Sequence, residues 1–300
     1  PNGFEGGGVI GLNWLNKVKD EIGFKTATEV ANAHHVYAAL EADVDILWIG
    51  ARSTVNPFTV QEIAVALKGT NKPVLVKNPV NPDLALWIGA LERLLGQDVK
   101  NLGVIHRGFS SYQKTKYRNL PNWQIALDFK HQYPNIPMFV DPSHICGRRD
   151  LLSDVTQEAF NVGYEGAMIE SHCNPDAAWS DAAQQITPEV LAEMLGNLQI
   201  RNSDISGFDE EMGKHRALIS DIDFQLIELL SNRMKISEKI GALKKENNIA
   251  IFQPDRWKVI AEYASARAEE SGMGKDFIEK VFKAIHEESI EVQNNIMIDK

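Results

Sequence analysis

Six short apolar segments in the first two-thirds of the chain each end in side chains that could do chemistry. In chain order these are Glu29, Arg52, Lys77, His106 with Arg107, Asp141 with His144, and Glu170 with His172. One charged group after a strand is as often part of a solvated loop as part of a site. Six in succession favour an active site, because the carboxyl ends of the strands of a parallel barrel meet on one face.

These side chains divide into two chemical sets. Arg52, Lys77 and Arg107 are cations that suit phosphate or carboxylate oxygens. His144, Glu170 and Asp181 offer one nitrogen and two oxygen ligands, a mixed set that suits a divalent first-row metal ion. Any one of the last three, taken alone, is better interpreted as a hydrogen-bonded loop residue. Together the two sets predict a metal-assisted reaction on a phosphorylated, anionic substrate.

The elements that would position these residues follow from the hydrophobic pattern. Short apolar segments alternate with amphipathic ones such as 60–68 and 84–95. The predicted strands are 24–30, 44–51, 73–79, 101–108, 137–141 and 166–171. This alternation predicts a parallel sheet covered by helices, either doubly wound or closed as a barrel.

The hydrophobic pattern of the chain changes after about residue 200. We predict a first domain over residues 1–200, a polar linker over 201–212 and a helical domain over 213–300. Apolar residues recur there at helical spacing, and the second and third helices are predicted over 254–270 and about 275–295. Three helices bury little apolar surface by themselves, so we expect the chain to form a homodimer through them.

Cations lie on the first of these helices. Lys244 follows Arg233 by eleven residues, which returns it to within roughly 20° of the same helix face, whereas Arg216 lies about 100° away. On the last helix Ser289 and Gln293 share a face. The pattern suits a pocket with two cations from its own chain and Arg216 aimed at a partner's pocket. Taken alone, the pattern is better interpreted as a helix with exposed charges.

Composition excludes several classes of function. The net charge of −10 argues against nucleic-acid or anionic-membrane partners. Cys146 and Cys173 cannot form a disulfide framework, and no apolar run reaches the roughly 18 residues that a membrane span needs. The first residues lack the pattern of a signal peptide. We therefore expect a cytoplasmic protein.

Several strings in the first domain are similar to those of 3-deoxy-D-arabino-heptulosonate 7-phosphate (DAHP) synthases. They are Ile49-Gly50-Ala51-Arg52-Ser53, Val76-Lys77-Asn78-Pro79, His106-Arg107-Gly108, Asp141-Pro142-Ser143-His144, Met168-Ile169-Glu170-Ser171-His172 and Ser180-Asp181. The resemblance is to the type I beta branch, shared with the 3-deoxy-octulosonate 8-phosphate synthases. It implies a (β/α)₈ TIM-type barrel that condenses phosphoenolpyruvate with erythrose 4-phosphate.

The same resemblance implies roles for individual residues. Arg52, Lys77 and Arg107 would bind phosphoenolpyruvate, and Lys77 would also be catalytic. The metal ligands would be His144, Glu170 and Asp181, and the ion would be Mn, Fe, Co or Zn.

The chain departs from the family in its count of strands. Six strand–helix units are visible where a closed barrel needs eight, and residues 1–6 look like the loop after the family's second strand. The absent segment would carry a substrate-binding Lys-Pro-Arg-Thr motif and a metal-binding cysteine, whose position neither cysteine of this chain occupies. We therefore expect weak or absent synthase activity from a chain that starts at Pro1.

The helical domain resembles the all-helical chorismate mutases. The strings are Arg216-Ala217-Leu218-Ile219-Ser220-Asp221-Ile222-Asp223, Leu229-Leu230-Ser231-Asn232-Arg233-Met234, Lys244-Lys245, Arg256 and Ser289-Ile290-Glu291-Val292-Gln293. The resemblance implies an interlaced dimer in which Arg216 and Arg233 hold the carboxylates of chorismate. Catalytic Lys244 and Gln293 would bond its ether oxygen, with Arg256 and Ser289 completing the pocket. Gln253 and Trp257 stand where many relatives carry acids, the second of which holds the substrate hydroxyl.

The leading hypothesis is a bifunctional shikimate-pathway enzyme, a DAHP synthase and chorismate mutase with phosphoenolpyruvate, erythrose 4-phosphate and chorismate as substrates. One alternative makes the helical domain a non-catalytic module that binds chorismate or prephenate, dimerises and regulates the barrel. Another is an inactive fragment whose helices serve only for dimerisation.

Overall fold

The first compact unit of the chain is built on a parallel sheet. The computed structural model describes residues 6–112, 114–201 and 209–298, and the chain divides into two compact units, 1–203 and 204–300. The strands are β1 (Ala27–Val30), β2 (Ile46–Ile49), β3 (Val74–Lys77), β4 (Leu102–His106), β5 (Met138–Val140) and β6 (Gly166–Ala167). All six predicted strands are confirmed, and each is shorter than its prediction.

The strands pair in parallel in chain order, from β1 to β6, and form a curled half-barrel. Within the described residues β1 and β6 are its two edges, in agreement with a count of six units rather than eight. Ile49 pairs with Val76, Val76 with Val104, and Val104 with Met138. Because these paired residues lie at the same height in successive strands, the residues that follow each strand lie at one edge of the sheet.

Nine helices surround this sheet in the described part of the unit. They are α1 (Gly8–Ile22), α2 (Ala33–Glu41), α3 (Ala51–Thr54), α4 (Pro57–Ala66), α5 (Leu84–Leu95), α6 (Trp123–Gln132), α7 (Pro142–Cys146), α8 (Leu152–Asn161) and α9 (Pro188–Asn197). Side-chain caps fix several starting points: Asn56 accepts hydrogen bonds at the start of α4, Asp83 at that of α5 and Thr187 at that of α9. Short 3₁₀ turns cover Arg149–Leu151, Pro175–Ala177 and Ala182–Gln184.

The second unit consists of three helices, as predicted. They are α10 (Asp209–Glu246), α11 (Pro254–Glu270) and α12 (Lys275–Ile298). Helix α12 packs against both α10 and α11. Helix α10 begins at Asp209, inside the predicted linker 201–212, and Glu210 and Lys214 already form an ion pair one helical turn apart there. Residues 202–208 and the predicted opening 1–5 lie outside the described residues.

A large part of α10 carries apolar side chains without a covering element. Ile219, Ile222, Leu226 and Leu229 are between 51% and 66% exposed. The buried apolar cluster of this unit is small and contains Ala264, Ala268 and Ile278, with Phe282 packed against it. Among the described helices, none is long and apolar enough to cross a membrane.

Candidate active sites

The three predicted metal ligands come together at the carboxyl edge of the sheet. His144 lies on α7 after β5, Glu170 follows β6, and Asp181 precedes the 3₁₀ turn Ala182–Gln184. One potential ligand atom from each lies within 4.8 Å of the others. Donor atoms that bind one ion at about 2.1 Å are at most about 4.2 Å apart, so a small side-chain rotation completes the set. The three residues therefore fit a divalent metal ion.

Asp141 connects this set to the nearest cation. It is 1% exposed, and its Oδ2 accepts a hydrogen bond of 2.8 Å from Lys77 Nζ and lies 2.9 Å from His144 Nδ1. A carboxylate on Nδ1 leaves His144 Nε2 for a metal ion, an arrangement common among metal-binding histidines. Burial alone would raise the pKa of Asp141, but the His144 hydrogen bond and the charge of Lys77 outweigh it and hold the pKa below its usual range.

Arg118 and Gln184 join the two carboxylates of the set. Arg118 NH1 donates to Asp181 Oδ1 at 2.8 Å and to Gln184 Oε1 at 2.7 Å. Gln184 Nε2 in turn donates to Glu170 Oε1 at 2.8 Å. Burial raises the pKa of the Glu170 carboxyl. Asp181 has a left-handed backbone, φ 47°, a conformation in which aspartate is enriched.

The predicted anion-binding cations also lie at this edge. Lys77 and Arg107 are buried, and Arg107 NH1 donates to Asn119 Oδ1 at 2.8 Å, while Arg52 is exposed on α3. Burial lowers the pKa of Arg107, the charge of Asp141 opposes this, and the nearby charges of Arg118 and Arg52 lower it further. Cations that disfavour one another in this way are stabilised by a bound anion.

Arg118 and Asn119 were missed by the sequence analysis because they follow no strand. They lie in a loop whose ends meet where Phe109 N donates to Leu120 O at 2.8 Å, and Asn119 N donates to Ile145 O at 3.0 Å. The loop brings Asn119 to Arg107 at the end of β4 and to His144 on α7, and it brings Arg118 to Asp181. No spacing rule in the sequence marks them.

His106 follows the pattern of strand-end residues but does not belong to the site. Its Nε2 donates to Pro121 O at 2.6 Å and its Nδ1 accepts from Tyr164 OH at 2.9 Å. Neighbouring residues on a strand point to opposite faces, so Arg107 reaches the site and His106 enters the core. Burial lowers the pKa of His106 to about 4. The interpretation of His106 as a strand-end site residue is therefore wrong.

In the helical unit, two cations of α10 each contact a polar residue of α12. Arg233 donates to Ser289 Oγ, and Lys244 Nζ donates to Gln293 Oε1 at 3.0 Å. Lys244 also donates to Ile251 O at 2.6 Å. Burial lowers the pKa of both Arg233 and Lys244. The structure therefore brings four of the six predicted residues of this pocket together.

A cleft of about 380 Å³ has Arg233 and the fifth predicted residue, Arg256, in its wall, whereas Lys244, Ser289 and Gln293 are not among its lining residues. The lining residues are Arg233, Arg256, Val259, Ile260, Tyr263 and Phe282. Two guanidinium groups on an otherwise apolar wall suit a small dianion with an apolar ring. Arg216, the sixth, is exposed on α10 and is not among the described residues that line this cleft.

Gln253 and Trp257 occupy the start of α11, where Gln253 is the N-cap residue. The Trp257 ring stacks on that of His286, with centroids 4.4 Å apart and planes at 23°. His286 was not singled out from the sequence, although it precedes Ser289 and Gln293 by three and seven residues and so shares their face.

Comparison with known proteins identifies relatives of both units. Residues 1–205 match the model of the DAHP synthetase I family, and residues 215–294 match that of chorismate mutase type II. A phospho-2-dehydro-3-deoxyheptonate aldolase of Thermotoga maritima is 29% identical over 66% of this chain and 57% of its own length. A 2-dehydro-3-deoxyphosphooctonate aldolase of Pseudomonas putida is 29% identical over 66% and 72%. The T-protein of Haemophilus influenzae is 28% identical over 29% and 23%.

Solved structures agree on the fold of the first unit. The crystal structure of the Thermotoga maritima DAHP synthase superposes with a TM-score of 0.58 at 28% identity, over 65% of this chain and 56% of that one. The chain thus spans just over half the length of this relative. With a chorismate mutase type II domain at its C-terminal end, the chain belongs to the DAHP synthetase I family.

Proposed function

We propose that this chain carries two activities of aromatic amino-acid synthesis. Its first unit condenses phosphoenolpyruvate with erythrose 4-phosphate to DAHP, and its second rearranges chorismate to prephenate. The observation that carries the first proposal is the chain of contacts from Lys77 through Asp141 to His144, which joins an anion site to a metal-ligand set. The second rests on the two cation–polar pairs between α10 and α12.

In the first unit, the cationic residues hold the negative charge of the two phosphorylated reactants. Lys77, Arg107 and Arg52 bind phosphoenolpyruvate, and Arg118 adds a further fork for phosphate oxygens. His144, Glu170 and Asp181 would hold the divalent ion, Mn, Fe, Co or Zn, which polarises the aldose carbonyl when bound. Asp141 keeps the His144 ring and the Lys77 ammonium group in fixed positions.

The identity of the aldose substrate of the first unit is proposed from the combination of domains on the chain. Relatives of both the heptonate and the octonate type match this unit at 29% identity, so the barrel by itself does not favour either. A chorismate mutase domain on the same chain favours the aromatic route, and hence erythrose 4-phosphate over arabinose 5-phosphate.

In the second unit, binding and charge stabilisation are sufficient for the reaction. Chorismate rearranges within one molecule, so the pocket needs to hold it folded and to stabilise the negative charge that grows on its ether oxygen. Arg233, with Arg216 from a second copy, would hold the carboxylates. Lys244 Nζ and Gln293 meet at 3.0 Å and would both donate to the ether oxygen. We therefore propose that the working form is a homodimer.

One preparation tests both activities. Phosphoenolpyruvate loss is followed with erythrose 4-phosphate and Mn²⁺, and chorismate consumption is followed in parallel as a control for folding. We expect chorismate to be consumed rapidly and phosphoenolpyruvate slowly, because the described sheet has six strands where a closed barrel has eight. Phosphoenolpyruvate that stays intact while chorismate is consumed would contradict the synthase proposal for this chain.

A substitution separates catalysis from mere binding in the helical unit. Lys244→Ala removes the donor to the ether oxygen, so we expect turnover to fall about 10²- to 10³-fold while chorismate binds within about tenfold of its original affinity. Lys258→Ala, at an exposed position on α11, is the matched control and leaves both quantities unchanged. A wild-type protein that binds chorismate without converting it would favour the regulatory alternative.

A further inference from the structure

A buried glutamine side chain lies between a candidate metal ligand and the loop that carries Arg118. Gln184 is 1% exposed and ends the 3₁₀ turn that follows Asp181. Its amide makes two hydrogen bonds of opposite direction: Nε2 donates to Glu170 Oε1 at 2.8 Å, and Oε1 accepts from Arg118 NH1 at 2.7 Å. Because a buried amide is costly to leave unpaired, these two bonds hold the side chain in place.

The two partners also determine which way the amide faces. A guanidinium group only donates hydrogen bonds, and an ionised carboxylate only accepts them. An amide rotated by half a turn would place its NH₂ group against Arg118 and its oxygen against Glu170, and both contacts would be repulsive. Gln184 therefore presents its NH₂ group to Glu170.

The contacts of Glu170 separate the position of its backbone from the direction of its side chain. Its backbone N–H donates to Ser143 Oγ at 3.0 Å, and its carbonyl accepts from Ile186 N at 3.2 Å. In the side chain, Oε1 accepts from Gln184 and lies 3.3 Å from His144 Nδ1. With Oε1 engaged and the side chain 24% exposed, Oε2 is the oxygen left for an ion. The direction of the carboxylate thus depends on Gln184, while the backbone position does not.

We propose that Gln184 is a positioning residue, which orients Glu170 for the divalent metal ion and so raises the affinity of the chain for it. The proposal deepens the synthase function proposed above and rests on its metal site. A fixed donor excludes the side-chain conformations of Glu170 that face away from the ion, so less order must be gained on binding. Arg118, the other partner of Gln184, also donates to Asp181 at 2.8 Å. One guanidinium group thereby supports two of the three ligands.

Calorimetric titration with Mn²⁺ in the absence of substrates measures this contribution directly. Gln184→Met keeps an unbranched side chain of similar length but makes neither hydrogen bond. We expect it to bind Mn²⁺ about tenfold more weakly than wild type, the effect of losing a partner that holds a metal ligand. Gln124→Met is the matched control, because Gln124 also donates to a carboxylate, Asp128 Oδ1 at 2.7 Å, but at the exposed surface of α6. Its affinity for Mn²⁺ should equal that of wild type.

A spectroscopic measurement distinguishes a changed direction of Glu170 from a general loss of stability. The visible absorption of bound Co²⁺ depends on the number and arrangement of its ligands. At saturating Co²⁺, the absorption bands of Gln184→Met should differ from those of wild type and of Gln124→Met. A protein that is merely destabilised would give the wild-type bands once the ion is bound.

Equal Mn²⁺ affinities in wild type and Gln184→Met would overturn the proposal while leaving the metal site in place. A wild-type protein that binds no Mn²⁺ would overturn both. Weaker Mn²⁺ binding by Gln184→Met would support the proposal even if phosphoenolpyruvate were not consumed, in which case the synthase activity alone fails. Should Gln184→Met not fold, Gln184→Asn, which keeps the amide but is one methylene too short to reach both partners, must show the same loss of affinity.

Discussion

At the scale of residues, burial gives two histidines of the first unit opposite roles. His144 is partly exposed beside three carboxylates, whereas His106 is enclosed by the carbonyl of Pro121, the Tyr164 hydroxyl and the ring of Trp123. Burial deprives a protonated His106 of hydration, whereas in the neutral ring Nε2 donates to Pro121 O and Nδ1 accepts from Tyr164 OH. The neutral ring is therefore part of the folded core.

The low pKa of His106 predicts a pH-dependent contribution to stability. Its folded value of about 4 is below the unfolded value near 6.5, so the unfolded chain binds the proton more readily. Stability from this residue is complete above pH 6.5 and is lost as the pH falls toward 4. Between pH 7 and pH 5 we expect a loss of about 2 kcal/mol in the free energy of unfolding.

Urea unfolding followed by tryptophan fluorescence at pH 7, 6 and 5 measures this loss. His106→Gln keeps a donor and an acceptor but cannot titrate. Between pH 7 and pH 5 its unfolding free energy should therefore fall by about 2 kcal/mol less than that of the wild type. Equal pH dependence in the two proteins would show that His106 titrates normally in the folded state.

At the scale of elements, two left-handed glycines bring the loop 109–120 close to the site. Gly147 ends α7 with φ 65°, and a Cβ there would lie 2.5 Å from Arg118 Cβ. Gly108 follows β4 with φ 77°, and a Cβ there would lie 2.8 Å from Asn119 O. At both glycines the loop packs against backbone that has no side chain. This close contact positions Arg118 and Asn119.

Gly147→Ala is expected to displace Arg118 and weaken anion binding. Gly163→Ala is the matched control, because Gly163 also has a left-handed backbone, φ 82°, but open space around it. Both changes should cost roughly 1–2 kcal/mol of stability from backbone strain. Calorimetry should show phosphoenolpyruvate binding about tenfold weaker in Gly147→Ala alone, the effect of one lost charge-assisted hydrogen bond. Equal affinities in the two variants would exclude Arg118 from the anion site.

At the scale of the whole molecule, the two units bury apolar surface to different degrees. The first unit has a continuous core between sheet and helices, whereas the second exposes the apolar side chains of α10. The protein carries a net charge of −10, yet both candidate sites gather cations, which concentrates the favourable potential for anions where the ligands bind.

The exposed face of α10 predicts that dimerisation and mutase activity are lost together. Ile222→Glu places a charge on the apolar face, so sedimentation should shift from dimer to monomer and chorismate turnover should fall with the loss of the partner's carboxylate-binding arginine. Ser220→Glu adds the same charge about 200° around the helix and should leave both unchanged. A monomeric Ile222→Glu variant with full turnover would contradict a pocket shared between two chains.

The sequence by itself determined the six strands and the three long helices, and it indicated which polar side chains follow the strands. These features depend on local periodicity, on capping residues and on the rule that parallel strands end at one edge. It also placed Arg233 and Lys244 on one face of α10, and Ser289 and Gln293 on one face of α12, since helical geometry converts spacing into direction.

Only the tertiary structure decided that Arg118 and Asn119 reach the site, that His106 does not, and that His286 has a nitrogen without a partner among the described residues. Each of these depends on a contact between segments distant in sequence, such as the loop 109–120 against α7 or α11 against α12. Periodicity gives the face on which a side chain lies but not what lies opposite. Packing decides that, because a buried polar atom is satisfied or left unpaired according to the neighbouring element.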